Sequence, residues 1–368
     1  MITVVFTFVF CVYILSIGAL IYGFTKVKNY ESIGLKPKTA FTIIVPFRDE
    51  EDNLPVLLES LSQLNYPNHL FEVILVDDDS QNKFQLANFS FQACVINNNR
   101  ISNSPKKDAI VTAMNQVTTD WIITTDADCK VDKNWLLTLD NYIQNLDVSM
   151  IAGAVTYNCN NTFLHQFQQL DMASLQGATI GSFGINNGFM CNGANLGYTK
   201  SLFTALNGFD GNDGIASGDD VFLLQKAIAY APKKVHYLKA ESTIVSTKPV
   251  DNWTALFHQR VRWASKTSSY QSTFGKTLAI IVFGGNICWI LTLVFGFINW
   301  DKAFYLLFFL VLKIIVDAVL ILQSNHFLNK NRVSYLLLGS ILYPFFSVSV
   351  ALYSLLGQYQ WKGRKFSK

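Results

Sequence analysis

Phe71-Glu72-Val73-Ile74-Leu75-Val76-Asp77-Asp78-Asp79-Ser80 is a near-continuous apolar, β-prone run that stops abruptly in three carboxylates. A strand covered by helices on both faces reads this way, whereas a half-exposed strand alternates. Trp121-Ile122-Ile123-Thr124-Thr125-Asp126-Ala127-Asp128 repeats the pattern. Outward from these, residues 41–47, 93–97 and 148–155 also read as strands. Residues 56–64, 107–117 and 132–145 carry helical periodicity, with Asp52-Asn53 and Pro55 marking a helix start. Strand and helix alternate through residues 40–272, which predicts an α/β domain with a mostly parallel sheet. Ligands of such sheets bind outside the carboxyl ends of the strands. The acids at 77–79 and at 126 and 128 are therefore expected in one crevice. Neither G-x-G-x-x-G nor a P-loop occurs, so a dinucleotide fold or an NTPase has no direct support.

The chain is apolar for a water-soluble protein: 368 residues, 50% hydrophobic and only 15% charged. Its net charge of +3 is too small to argue for nucleic acid. The basic residues are local, at Lys26, Lys28, Lys36 and Lys38 and again at Lys362, Arg364, Lys365 and Lys368. Such clusters beside apolar segments face the cytoplasm. Residues 2–24, 278–298, 303–322 and 335–356 are long enough to cross a bilayer. No charge precedes the first run and lysines follow it, which favours an uncleaved anchor over a signal peptide. The Asn299-Trp300-Asp301-Lys302 link reads as a hairpin turn. Lys313 and Asp317 stand four apart in the third run and are expected to pair facing protein or water. With the central domain inside, three full C-terminal spans put the basic tail outside, against its charge. Pro344 allows the last run to be re-entrant or interfacial instead, and both options stay open. The six cysteines lack metal or disulfide spacing and read as reduced thiols.

Several constellations carry chemistry. Asp78 can accept hydrogen bonds from a ribose or a base edge, although a polar strand-end turn looks the same. Asp126 and Asp128 can jointly hold a hard divalent ion, Mg²⁺ or Mn²⁺, whose other ligands are phosphate oxygens and water. A phosphohydrolase with a nucleophilic Asp is a rival. That chemistry usually wants a hydroxyl residue soon after the pair, where Cys129-Lys130 stand here. Asn192-Gly193-Ala194-Asn195 allows close backbone approach, or is a plain turn before a helix at 199–206. Asp219-Asp220 opens a helix, where acids cap the dipole or one serves as a general base. Gln259-Arg260-Val261-Arg262-Trp263 lies on an amphipathic helix over 252–268, suited to a membrane surface and, through its arginines, to phosphate.

In this order and spacing the motifs resemble those of membrane-bound family 2 inverting glycosyltransferases, including lipid glucosyltransferases of the ceramide type and polysaccharide synthases. The resemblance runs from about Thr42 to Trp263. It implies a GT-A fold, a Rossmann-like mixed sheet flanked by helices, with N-terminal and C-terminal transmembrane helices. Val45-Pro46, Glu50-Glu51 and Asn53-Leu54 are similar to the family's opening strand and nucleotide turn. Asp78 falls at its uridine contact, with Asp79 where a small residue is usual. Lys106-Lys107 resembles its donor-side lysine segment, Asp126 and Asp128 its D-x-D, and Gln259, Arg262 and Trp263 its Q-x-x-R-W. Asp219-Asp220 stands where the family has Glu-Asp, which makes Asp220 the better base, with Asp219 beside it. The implied donor-binding set is Pro46, Glu50, Asp78, Lys107, Asp126, Gln259, Arg262 and Trp263, with the metal on Asp126 and Asp128.

The expected organisation is an anchor at 1–25, a cytoplasmic catalytic domain at 40–250, an interface helix at 251–272, membrane helices at 277–357 and a basic tail at 358–368. The expected activity is sugar transfer from a nucleotide sugar, UDP-linked, to a hydroxyl of a membrane lipid or lipid-linked glycan. The enzyme would be multi-pass in the cell's inner membrane. A processive polysaccharide synthase is one alternative. A non-catalytic membrane scaffold that retains the fold is another.

Overall fold

A computed structural model describes residues 2–298, 300–330, 333–355, 358–361 and 364–367 of the chain. By contact the chain divides into two compact units. One is α/β and comprises Lys28–Asn158 and Met190–Lys248; the other is helical and comprises Met1–Val27, Cys159–Phe189 and Pro249–Lys368. The expected catalytic stretch 40–250 is thus interrupted, because residues 159–189 belong with the helices.

The strands of the α/β unit are β1 (Phe41–Phe47), β2 (Phe71–Asp77), β3 (Gln92–Asn97), β4 (Trp121–Thr124), β5 (Cys129–Lys130), β6 (Met150–Gly153), β7 (Val155–Tyr157), β8 (Leu196–Thr199), β9 (Val235–Leu238) and β10 (Val245–Thr247). A seven-stranded sheet runs β3-β2-β1-β4-β8-β6-β9. β1 to β4 are mutually parallel, β8 is antiparallel to both β4 and β6, and β9 is parallel to β6. The sheet is therefore mixed, and it is parallel where the acids are. A small second sheet, β5-β10-β7, carries the rest. The run at 148–155, expected as one strand, splits at Ala154 into β6 and β7, which join different sheets.

The helix Leu54–Ser62 buries Leu54, Leu57, Leu58 and Leu61. They join Phe41, Ile43, Val45, Val73 and Leu75 in the main core. Each buried leucine contributes about 2 kcal/mol. Pro46 stands in β1, a central strand, where a missing N–H is normally excluded. Pairing of β1 with β4 ends at Ile44↔Thr124, and the Ile44 carbonyl accepts from the Thr125 amide at 3.2 Å. Alternate residues of a strand face the same neighbour, so the proline's missing donor falls beyond the end of β4. The two strands part there, at their carboxyl ends.

In the helical unit, Ile2–Lys26, Thr273–Ile298, Trp300–Leu328 and Leu336–Ser354 each contain a segment long and apolar enough to cross a membrane. Trp300 to Lys302, expected in a turn, begin a helix instead; Asn299 lies outside the described residues. Lys313 pairs with Asp317 at 2.7 Å and is only 3% exposed. Tyr13 of the first helix donates to the other Asp317 oxygen at 2.7 Å. The pair thus faces protein. Pro344 sits inside a helix that continues from Leu336 to Ser354. The helix Phe163–Gly184 packs hard against the first helix: a Cβ on Gly184 would land 1.8 Å from the Gly23 carbonyl oxygen, and one on Gly181 2.3 Å from that of Leu20. Only glycine permits such approach. Strands Gln358–Trp361 and Arg364–Ser367 pair antiparallel near the C-terminus; Lys362 and Gly363 lie outside the described residues. Of the six cysteines, Cys129, Cys191 and Cys288 are buried and Cys11 is exposed.

Candidate active site

Asp126 follows the last residues of β4, and Lys106 lies in the first turn of the helix Pro105–Met114. The Lys106 ammonium stands 2.7 Å from Asp126 Oδ1 and 3.3 Å from Asp219 Oδ2. Burial alone would lower the Lys106 pKa, but the Asp126, Asp219 and Asp220 carboxylates outweigh it and hold the group well above the usual lysine value. Asp219 and Asp220 open the helix Asp219–Tyr230, whose N-cap, Gly218, has φ of 84°. That left-handed conformation favours glycine and turns the chain sharply into the helix. The Gly193 amide donates to Asp220 Oδ2 at 3.0 Å, and the Val221 amide to Oδ1 at 2.7 Å. Gly193 is held in turn by its carbonyl, which accepts from Thr124 Oγ1 at 2.9 Å. A Cβ at Gly193 would meet Asp219 Oδ2 at 2.9 Å and Lys106 Nζ at 3.2 Å. Asp126 and the Asp219-Asp220 pair, 93 residues further on, thus converge around one lysine and one glycine.

Asp128 adds a further carboxylate. Burial, then the nearby charges of Asp126 and Glu50, push it up to about 6, partly offset by a hydrogen bond from Thr247. Glu50 is itself fixed, accepting from Asn53 Nδ2 at 2.5 Å. Asp78, at the end of β2, is 4% exposed and accepts from Asn98 Nδ2 at 2.7 Å and from Arg100 Nη1 at 3.4 Å. Burial raises its pKa against these partners. Asp77 instead pairs with Lys83 at 2.8 Å, and Asp79 adopts φ of 64°. The acidic triplet therefore has distinct environments rather than one shared role.

Lys107, expected on the donor side, points away from the acid cluster. It is 1% exposed and donates to the carbonyls of Asn212 at 2.5 Å and Ile215 at 2.9 Å, with its ammonium over the Phe222 ring. Lys106 is the lysine that reaches the acids. Neighbours on a helix point about 100° apart, so only one of a Lys-Lys pair can face the cluster. Asn195 of the Asn-Gly-Ala-Asn turn is structural. It accepts from the Trp135 indole at 3.2 Å and donates to the Ala154 and Thr243 carbonyls. Gly193 is the member of that turn that enters the acid cluster.

Gln259, Arg262 and Trp263 lie in the helical unit, on the helix Trp253–Ser265. Its intervening Arg260 is buried and paired with Asp171.

Among the described residues no group of three or more His, Cys, Asp and Glu side chains is placed to hold a metal alone. Asp126 and Asp128 offer an all-oxygen, crowded anionic pair. That suits a hard divalent ion that completes its shell with phosphate and water.

Residues 42–205 match the sequence family described as Glycosyl transferase family 2. Over that stretch the chain is similar to family 2 glycosyltransferases. Among curated relatives, an undecaprenyl-phosphate 4-deoxy-4-formamido-L-arabinose transferase of Photorhabdus laumondii is 37% identical over 94 residues, covering 24% of this chain and 28% of the relative. The protein of the same name from Serratia proteamaculans is 33% identical over 102 residues, covering 26% and 30%. The chain thus spans less than a third of the length of these relatives. A mannosyltransferase from Pyrobaculum calidifontis, solved with GDP-Man and Mn²⁺, has the same fold: TM-score 0.55 at 12% identity, covering 90% of this chain and all of that one. The likeness is one of fold, and this chain has apolar helices at both ends.

Proposed function

We propose that this glycosyltransferase moves a sugar, with inversion, from a nucleotide sugar to a hydroxyl of a membrane-borne acceptor. The convergence of Lys106, Asp126, Asp219, Gly193 and Asp220 carries the reading. UDP is the nucleotide that Asp78 is suited to hold, its carboxylate accepting from ribose or base. Asp126 and Asp128 would hold Mg²⁺ or Mn²⁺, which when bound supplies charge neutralisation on the diphosphate. Lys106 brings a fixed cation to the same place. Asp220, held by two backbone amides, is the general base: it takes the acceptor hydroxyl proton as that oxygen attacks the anomeric carbon from the opposite face. A diphosphate leaves without protonation, so one base suffices, in contrast to a glycosidase. Gln259, Arg262 and Trp263 are the motif residues suited to phosphate and acceptor, with the Arg262 fork matched to phosphate oxygens. The α/β unit would be cytoplasmic and the enzyme multi-pass in the cell's inner membrane.

The curated relatives favour a second reading, in which the acceptor is a polyprenyl phosphate. A phosphate oxygen is already anionic, and Asp220 then has no proton to take. Membranes containing the enzyme, incubated with labelled UDP-glucose, UDP-N-acetylglucosamine or GDP-mannose, test both readings. Label in the lipid extract supports lipid transfer, and its acid or base stability separates phosphate-linked from hydroxyl-linked sugar. Label only in an insoluble polymer would indicate a processive synthase. Metal-independent inertness with every donor would indicate a scaffold.

A further inference from the structure

Within the helical unit, the arginine inside Gln259-Arg260-Val261-Arg262-Trp263 has an unexpected place. Its side chain and that of Asp171, on the helix Phe163–Gly184, are 6% and 4% exposed and form a close ion pair. Arg260 also donates to Gln259 Oε1, and its guanidinium carbon lies 4.2 Å from the centroid of the Trp263 ring. A single planar cation therefore touches both the first and the last residue of the motif. Asp171 is fixed from another side, since it is hydrogen-bonded to Tyr343 of the helix Leu336–Ser354. Aromatic contacts hold the frame: Trp253 and Phe257 pack on Phe346, and Trp253 on Phe167.

We infer that Arg260, anchored by Asp171 and Tyr343, is a positioning residue that sets the orientation of Gln259 and Trp263 for transfer. A purely structural ion pair needs neither the contact to Gln259 nor the stack on Trp263, and replacing such a pair by apolar residues is often neutral. Guanidinium is the side chain that can do all three at once. Its fork binds a carboxylate, a spare N–H reaches the amide oxygen, and its flat face lies on indole. Lysine keeps the charge but loses the fork and the flat face.

The inference rests on the proposed role of Gln259 and Trp263, and the test separates the two. The full chain in detergent is assayed with whichever of the three labelled donors transfers. Arg260→Lys keeps the Asp171 charge partnered, and its Tm is expected to stay close to wild type. Its kcat is expected to fall roughly 10- to 100-fold, with donor KM changed much less. Trp263→Ala should fall comparably. In the Trp263→Ala background, Arg260→Lys is expected to cost no more than about 2-fold, because its target is already gone. Equal, multiplying losses in both backgrounds, or wild-type turnover in Arg260→Lys, would overturn the inference alone. Wild-type turnover in Trp263→Ala would overturn the functional role of the motif, and the inference with it.

Discussion

Gly193 has little room at the acid cluster. Any side chain there meets Asp219 and Lys106 within 2.9 and 3.2 Å. Both contacts are with side-chain ends, so the fold can absorb an added methyl by moving the charged groups. Gly193→Ala is therefore expected to keep its Tm but lose roughly 10- to 100-fold in transfer rate, since displaced charges misplace the reacting atoms. A rate within a factor of about two of wild type would show that the cluster tolerates the shift. Asp128 gives a pH signature. Its carboxyl sits near 6 when folded, against 3.8 for an ordinary aspartate. Between those values the folded chain holds a proton that the unfolded chain releases. The group favours folding at low pH and loses that contribution as pH rises through its folded value. In metal-free protein, Asp128→Asn should thus raise Tm more at about pH 7 than at about pH 4. A Tm difference from wild type that is the same at both pH values would contradict this.

At the scale of elements, the segment before Asp219 is held by lysines. Lys107 takes two of its carbonyls, and Lys226 takes those of Leu206, Gly208 and Asp210 at 3.2, 2.9 and 2.8 Å. Lys107→Met should loosen this loop, slow transfer and speed limited proteolysis between residues 209 and 217, while UDP affinity changes little. Loss of UDP affinity without faster cleavage would return Lys107 to a donor role. The parallel core β1–β4 was legible because each strand is a short apolar run ending in polar residues. The strands β8, β9 and β10 were not legible, being three or four residues long and fixed by long-range pairing rather than by pattern. The helix Phe163–Gly184 escaped for a different reason. It is buried on nearly every side, so Gln168, Gln169, Asp171 and Gln176 are interior while glycines make its contacts, and no amphipathic stripe remains to be read. Within the site, the carboxylates were legible from strand ends and a helix start. Which lysine of a Lys-Lys pair reaches them depends on helix phase, which the sequence leaves open.

In the whole molecule, the described residues include four membrane-length helices, and buried polar groups of the helical unit must be matched within it. Lys313, Asp317 and Tyr13 are such a set, joining helices almost the full chain length apart. Lys313→Met leaves Asp317 without its cation and is expected to cost about 3–5 kcal/mol, read as a lowered Tm in detergent. Replacing both, Lys313→Met with Asp317→Leu, should recover most of that loss. A double variant as unstable as the single one would mean that the pair does more than pack. If Asp126, Asp128 and Asp220 serve one donor diphosphate, Asp220→Asn should separate the transfer rate from the UDP Kd, both measured in the presence of Mn²⁺. The rate is expected to fall on the order of 10²- to 10⁴-fold with UDP affinity nearly unchanged. UDP affinity falling in step with the rate, or a rate that does not fall, would contradict it.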